Sequence, residues 1–160
     1  MTRLIAVWAL ILAWGMTLHG TAGAADGLVH AQNFQADARI AAKRRVPILV
    51  VFTSPVCSYC ERVKREYLIP MHKDPAYRNR AIIREVTIGA STPLIGFDGT
   101  PTSEGAFAAA NKIFMVPTVK VFDTKGADAS EAIVGLLSPD YYFGYLEAAI
   151  DEGLRKVRGK

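Results

Sequence analysis

The chain has 160 residues, a formal net charge of +4 and 51% apolar residues, with two cysteines in all. Two cysteines cannot build a disulfide scaffold, and a chain of this size buries a core without one. The positive charge does not point to nucleic acid, because no basic stripe is interleaved with aromatics and no recognised binding motif is present.

Arg3 is the only charge before Asp26, an apolar run extends from Leu4 to Ala13, and Ala22-Gly23-Ala24 offers small residues where a signal peptidase reads them. Residues 1–24 are therefore read as a secretory leader cleaved after Ala24, with the Ala25 bond as the near alternative. An uncleaved anchor is the rival reading, but Gly15, Thr17 and His19 interrupt the run short of the ~20 apolar residues a spanning helix needs. Residues 25–160 then form one exported domain, and losing Arg3 leaves a net charge of +3.

Asn33 to Arg45 carries Phe34, Ala38, Ile40, Ala41 and Ala42 between charges, which predicts a helix packed on a sheet, ending in the basic Lys43-Arg44-Arg45. Ile48 to Thr53 is apolar at nearly every position, as a central strand covered on both faces requires. Ser54-Pro55 closes it, and Cys57-Ser58-Tyr59-Cys60 follows. The next residues, Glu61 to Leu68, set Tyr59, Val63 and Tyr67 four apart, with a Glu61/Arg65 pair, and predict a helix that Pro70 kinks or ends.

Cys57 thus falls at a helix N-terminus, where unpaired N–H groups and the helix dipole favour thiolate over thiol. A free cysteine titrates near ~8.5, and such settings lower it to roughly 3.5–7.5. Cys57 is then the nucleophile, and Cys60, one turn on, the thiol that resolves a mixed disulfide. A small structural disulfide, two unpaired thiols and half of a zinc site remain open as alternatives. Zinc would need two more ligands, and His30 and His72 are not at ligand spacing.

His72-Lys73-Asp74-Pro75 reads as a turn and Ala81 to Ile88 as a second strand. Gly89 to Pro101 reads as a long loop, either a substrate-facing insertion or a surface excursion. Thr102 is expected to cap a helix with Glu104 in its first turn and Ala106 to Ile113 as its body. Val116 to Asp123 and Glu131 to Val134 predict two more strands around a Lys125-Gly126 turn. Ser138-Pro139-Asp140 opens a last helix, with a capping hydroxyl and with Phe143, Leu146 and Ile150 as its buried stripe. Arg155, Lys156, Arg158 and Lys160 are read as a solvated, frayed basic tail, the rival being contact with acidic lipid head groups or a partner. The order is βαβαββα after one helix, a layered α/β domain.

The strand ending in Cys57-Ser58-Tyr59-Cys60, Val116-Pro117-Thr118 opening the next strand pair, and Gly135-Leu136-Leu137-Ser138 before the closing helix together resemble the thioredoxin superfamily, from about Phe34 to Leu154. Phe97-Asp98-Gly99 and Met115-Val116-Pro117-Thr118 look most like the periplasmic thioredoxin-like proteins of the SoxW type. The resemblance implies a central mixed β-sheet flanked by helices and a cis Pro117 facing the dithiol. It also implies a Val116 backbone that pairs with an extended substrate. Tyr59 is read equally as a substrate contact and as helix packing. Two residues depart from the cytoplasmic pattern: Val51 stands where a buried aspartate assists the resolving thiol, and Val56 where a tryptophan precedes the first cysteine. Glu85 is read as an edge-facing surface charge, with a base for Cys60 as the other reading.

The resemblance implies a monomeric thiol:disulfide oxidoreductase in the periplasm, needing no cofactor and working on thiol or disulfide proteins, with a membrane thiol–disulfide shuttle as its redox partner. Reductase is favoured over oxidase. The alternative is a copper(I)-binding protein that uses the same two thiolates, with Met71, His72 and Met115 as remote further ligands.

Overall fold

The computed structural model describes residues 27–136 and 138–159. The leader reading at residues 1–24, Leu137 of the Gly135–Ser138 motif and Lys160 lie outside the described residues. Among the described residues no helix is long and apolar enough to cross a membrane.

Helix α1 spans Phe34–Arg44, strand β1 Ile48–Thr53, and the helical stretch after the cysteines α2 (Ser58–Val63), a π-helical turn (Lys64–Leu68) and α3 (Ile69–Lys73). A 3-10 turn (Pro75–Asn79), β2 (Ile82–Thr87), β3 (Pro93–Ile95), β4 (Pro101–Ser103), α4 (Glu104–Ala110), β5 (Thr118–Phe122), β6 (Ile133–Val134) and α5 (Pro139–Arg158) complete the order. Four strands form one mixed sheet in the order β2-β1-β5-β6. β2 runs parallel to β1, while β5 is antiparallel to β1 and β6 to β5. β1 lies at the centre and is buried at all six positions, the result its apolar run predicts.

Asn33 caps α1, its side chain accepting from the Ala36 N–H at 2.8 Å, and Lys43 and Arg44 face the negative end of the dipole. The helix buries Phe34, Asp37, Ala38 and Ala41, whereas Ile40 stays 40% exposed. Asp37 is buried because Arg84 of β2 reaches it with two hydrogen bonds of 2.9 and 2.6 Å, a planar fork tying helix to sheet.

Pro70 does not end the helix. Between Lys64 and Leu68 the chain widens by one residue, with the Ile69 N–H donating to the Lys64 carbonyl, and the helix continues through Pro70 to Lys73. A proline ring collides with the carbonyl four residues earlier in an α-helix, and the wider turn gives it room. The expected Glu61/Arg65 pair is replaced by Arg62–Glu66 at 2.9 Å and Lys64–Glu61 at 2.8 Å.

The stretch read as a loop from Gly89 to Pro101 contains the β3–β4 hairpin, and it is docked on the core. Phe97 at its tip stacks on Phe34 with centroids 4.8 Å apart and meets Phe122 at 5.3 Å. Gly126 lies at φ +84 beside it, and a Cβ there would come within 2.6 Å of the Phe97 ring, so the turn after β5 admits glycine only. Ser103, and not Thr102, caps α4, accepting from the Ala106 N–H at 3.2 Å, because α4 starts at Glu104 and Ser103 is the residue directly before it. That helix ends at Ala110 rather than Ile113, and Lys112 turns the chain at φ 58.

Ser138 stands at the N-cap of α5 but its hydroxyl makes no capping bond. The buried stripe of α5 is Tyr142, Leu146, Ala149, Ile150, Gly153 and Leu154, and Phe143 is 46% exposed. Phe143 stands at helical spacing from Leu146 and Ile150, yet its neighbour Tyr142 is the aromatic that is buried. Arg155, Lys156 and Arg158 form the last turn of α5 instead of a frayed tail. Arg158 Nε donates to the Arg45 carbonyl at 3.2 Å, and Arg45 Nη2 donates to the Arg158 carbonyl at 3.1 Å.

Tyr142 carries a testable cost. Its side chain is fully buried, 5.0 Å from the Tyr67 ring, and its hydroxyl has no hydrogen-bond partner among the described residues. Burial pushes its pKa up, which keeps it a neutral, undonated hydroxyl. Tyr142→Phe is expected to stabilise the fold by about 1 kcal/mol, seen as a higher urea midpoint at unchanged slope. A lower midpoint would mean that the hydroxyl is satisfied after all.

Candidate active site

β1 ends at Thr53 and the chain turns through Ser54-Pro55-Val56 into α2, so the sheet's buried centre delivers Cys57 to the surface at the first turn of a helix. Cys57 is the N-cap residue, and its Sγ accepts from the Cys60 N–H at 3.1 Å. The two cysteines form a disulfide, with Cα atoms 5.2 Å apart. They differ in access: Cys57 is half-buried, while Cys60 is 0% exposed. One sulfur can be met by a partner from outside and the other only from within.

Register places the proline. Phe52 of β1 faces Thr118 of β5 in an antiparallel pair, so continuing that pairing puts Val116 and Pro117 beside Thr53 and Ser54, where β1 leads to the cysteines. The Val116–Pro117 peptide bond is cis. Thr118 Oγ1 donates to the Met115 carbonyl at 2.7 Å, and the Pro117 carbonyl accepts from the Gly135 N–H at 2.7 Å. Among the described residues, no other backbone group takes the Val116 N–H or carbonyl. Tyr59 is 61% exposed and so is not a packing residue of α2, unlike Val63 in the same row, which is fully buried. Val56 (96%), Phe114 (87%) and Met115 (61%) are also open to solvent in the segments flanking Cys57 and Pro117.

Glu85 is not an edge-facing surface charge: it is 4% exposed. Although β2 is the edge strand of the sheet, residues 29–31 lie over it, the Ala31 N–H donating to the Glu85 carbonyl at 2.9 Å and the Glu85 N–H to the Val29 carbonyl at 3.0 Å. Its carboxylate turns inward beside Val51, the position opposite it on β1. There Oε1 accepts from Thr53 Oγ1 at 2.8 Å and from Lys64 Nζ at 3.0 Å. Lys64 sits one helical turn beyond Cys60, so Glu85 is tied to the helix that carries the buried thiol. Burial disfavours the Lys64 ammonium, but hydrogen bonds to Glu61 and Glu85 outweigh it and raise its pKa, so it stands as a cation.

Sequence reasoning missed His30, Lys64 and Glu104 as members of this cluster. His30 Nδ1 lies 3.1 Å from Glu104 Oε1, and Nε2 lies 3.8 Å from Glu85 Oε2. Glu104, 1% exposed, reads from the sequence as a first-turn acid and nothing more. One clue was available: two adjacent charges, Arg84 and Glu85, between the apolar Ile82-Ile83 and Val86 of one strand call for buried partners.

The three residues considered for copper do not come together around the cysteines. Met71 is buried in the core at 2% exposure, and His72 lines a separate cleft of about 410 Å³ with Arg44, Arg78 and Arg84. Burial, then Arg84 and Arg78, lower the His72 pKa, so this cleft opposes a further cation. Met115 stays on the exposed segment before Pro117. Among the described residues no group of three or more His, Cys, Asp or Glu could hold a metal ion.

A cysteine pair at the strand-to-helix junction of a four-stranded mixed sheet, beside a cis proline, defines a thioredoxin-like protein. The chain belongs to the thioredoxin-like domain family, whose pattern matches residues 34–150. Among solved structures it is similar to Trxlp from Edwardsiella tarda, at 22% identity over 69% of this chain and 91% of that one, with a TM-score of 0.48. It is similar also to thioredoxin O2 from Arabidopsis thaliana in the oxidised state (15% identity, 79% and 94% covered, TM-score 0.49). A third is the periplasmic thioredoxin SoxS from Paracoccus pantotrophus in the reduced form (16% identity, 66% and 97% covered, TM-score 0.47). No curated protein sequence matches the chain.

Proposed function

We propose that the protein is an exported thiol:disulfide oxidoreductase of the SoxW type, acting as a reductase, with residues 1–24 as its leader and residues 25–160 as one monomeric domain. The observation that carries this reading is the asymmetry of the pair: Cys57 half-exposed at a helix start, Cys60 buried behind it. In the reducing direction, the Cys57 thiolate attacks a substrate disulfide, forming a mixed disulfide and expelling one substrate thiolate. Cys60 then loses its proton and attacks Cys57 Sγ, closing the internal disulfide and releasing the second substrate thiolate. Two electrons pass from the pair to the substrate, and a membrane thiol–disulfide shuttle returns them.

Val116, whose backbone groups find no backbone partner among the described residues, would pair with an extended substrate segment while Tyr59 and Pro117 flank it. What favours the reducing direction in this reading is that little beyond the helix start is seen to hold a thiolate at Cys57. Strongly oxidising pairs owe their potential to a stabilised reduced form. Here the one hydrogen bond on Cys57 Sγ among the described residues comes from the Cys60 N–H, and the nearby ammonium of Lys64 is engaged by Glu61 and Glu85.

Equilibration of residues 25–160 against dithiothreitol or glutathione buffers tests this. A reduction potential near roughly −270 mV is expected, and one near roughly −120 mV would make the protein a disulfide donor instead. Failure of the pair to exchange at all would remove the enzymatic reading.

A further inference from the structure

The cleft beside His72 lies between the last turn of α1, the end of α3 with the 3-10 turn after it, and the start of β2. Its volume of about 410 Å³ is in the range of small-molecule sites. Arg44, His72, Arg78 and Arg84 line it, and among the described residues no carboxylate does. Arg84 is already committed, to Asp37 through two hydrogen bonds and to the Ile83 carbonyl through a third. Arg44 and Arg78 make no hydrogen bond or ion pair among the described residues, so two guanidinium groups stand unmatched at one cleft. Burial lowers the His72 pKa, and Arg84 and Arg78 lower it further, which shows that positive potential reaches the ring.

The backbone adds a donor there and withholds its acceptors. The Glu85 N–H points away from β1, to the Val29 carbonyl, and strand alternation aims the Ile83 N–H the same way, toward the open edge of β2. That N–H finds no other backbone partner among the described residues, while the Ile83 carbonyl already accepts from Arg84 Nη1 at 2.9 Å. The Ala81 N–H donates to the Tyr77 carbonyl at 3.0 Å, and residues 29–31 pair with Glu85. An added peptide strand would therefore meet one free N–H and no ladder, which excludes strand addition here. Guanidinium groups and a backbone N–H can only donate, so the ligand that suits them is one that only accepts. The remaining wall is apolar, with Ile40, Met71 and Ile82 on the same cleft.

We propose that this cleft binds a small organic anion, with its oxyanion head on Arg44, Arg78 and the Ile83 N–H and its apolar body against Ile40, Met71 and Ile82. Arg84 is a positioning residue, since its bonds to Asp37 and to the Ile83 carbonyl fix the strand edge that carries the free N–H. The site is separate from the dithiol. Cys57 caps the start of the helical stretch and His72 stands near its end, 15 residues on, which is roughly 20 Å along a helix axis. The charged groups around His72 are Arg44 and the Arg84-bound Asp37 from α1, Arg78 from the 3-10 turn and Arg84 from β2. A bound anion offsets that positive field and favours the protonated ring. The His72 pKa therefore rises on binding, and by reciprocity the anion binds more tightly as pH falls through it.

Benzenesulfonate is the probe, because its charge is constant on both sides of the ordinary histidine pKa of about 6.5. Methanesulfonate carries the same head on a far smaller body. The oxidised full chain is titrated with each at constant ionic strength, by calorimetry and by amide NMR spectra. Benzenesulfonate is expected to shift the Ile83 amide saturably, to bind about tenfold more tightly than methanesulfonate, and to gain about fivefold in affinity from about pH 7.5 to about pH 5.5. Arg44→Gln and Arg78→Gln, both at exposed positions, should each weaken it about tenfold with the urea midpoint unchanged, the low end for losing a charged hydrogen bond. His72→Gln should abolish the pH dependence. An Ile83 amide that does not respond, or binding that survives the two arginine replacements together, would overturn the site. Equal affinity for the two sulfonates would overturn the apolar half of the proposal. The disulfide stays closed throughout, so none of these results bears on the oxidoreductase reading.

Discussion

Cys60→Ser is expected to arrest the protein on its substrates. Cys57 keeps its place at the helix start and still attacks or accepts a substrate sulfur, but no internal thiol remains to release the adduct. Turnover of a protein disulfide should fall to background, and a mixed disulfide sensitive to dithiothreitol should accumulate, visible on non-reducing gels and as added mass on Cys57. Cys57→Ser should show neither turnover nor adduct, because the remaining thiol is wholly buried. The opposite pattern, adducts in Cys57→Ser and none in Cys60→Ser, would reverse the two roles. Disulfide reduction that survives Cys57→Ser would place the chemistry outside this pair.

The parts of this site that a single residue type or a short run determines were legible beforehand. The apolar run Ile48 to Thr53 could only be a strand covered on both faces, and a cysteine just beyond its end had to emerge at the sheet's edge. The parts that depend on distant packing were not. Glu85 looks like a surface charge on an edge strand until residues 29–31 are seen to cover that edge, and nothing local foretells a pairing some 55 residues away in sequence. The β3–β4 hairpin escaped notice because each strand has three residues, too few for alternation to register, and its anchor is the Phe97 contact with α1 and β5. Phe143 and Tyr142 are adjacent aromatics that both fit the helical spacing of Leu146 and Ile150, and only tertiary packing decides that Tyr142 is the buried one. Tyr59 likewise shares a helical row with Val63 yet is 61% exposed, because the buried residue of that first turn is its neighbour Cys60.

Arg84→Ala is expected to cost about 3–5 kcal/mol of stability, the range for removing one partner of a buried pair. Asp37 and Arg84 have side chains only 9% and 19% exposed, and the guanidinium grips both carboxylate oxygens while Nη1 donates to the Ile83 carbonyl. Alanine takes the guanidinium away from the Asp37 carboxylate under α1, and the penalty falls on that desolvated carboxylate rather than on a lost surface contact. Against a typical stability of about 5–15 kcal/mol, such a loss is large enough to lower the urea midpoint of a domain this size severely. Replacing both partners, as Asp37→Leu with Arg84→Met, should recover most of it, since no buried charge then remains. An Arg84→Ala midpoint close to wild type would mean that water reaches Asp37 and that the pair behaves as a surface ion pair, worth at most about 1 kcal/mol. The pair stands on the α1 side of β2, while the carboxylate next along that strand, Glu85, faces Lys64 of the dithiol helix. Strand alternation thus puts two neighbouring charges to different uses, one locking a helix to the sheet and the other facing the redox helix, so the double replacement should restore stability without altering the rate at which Cys60 closes the internal disulfide.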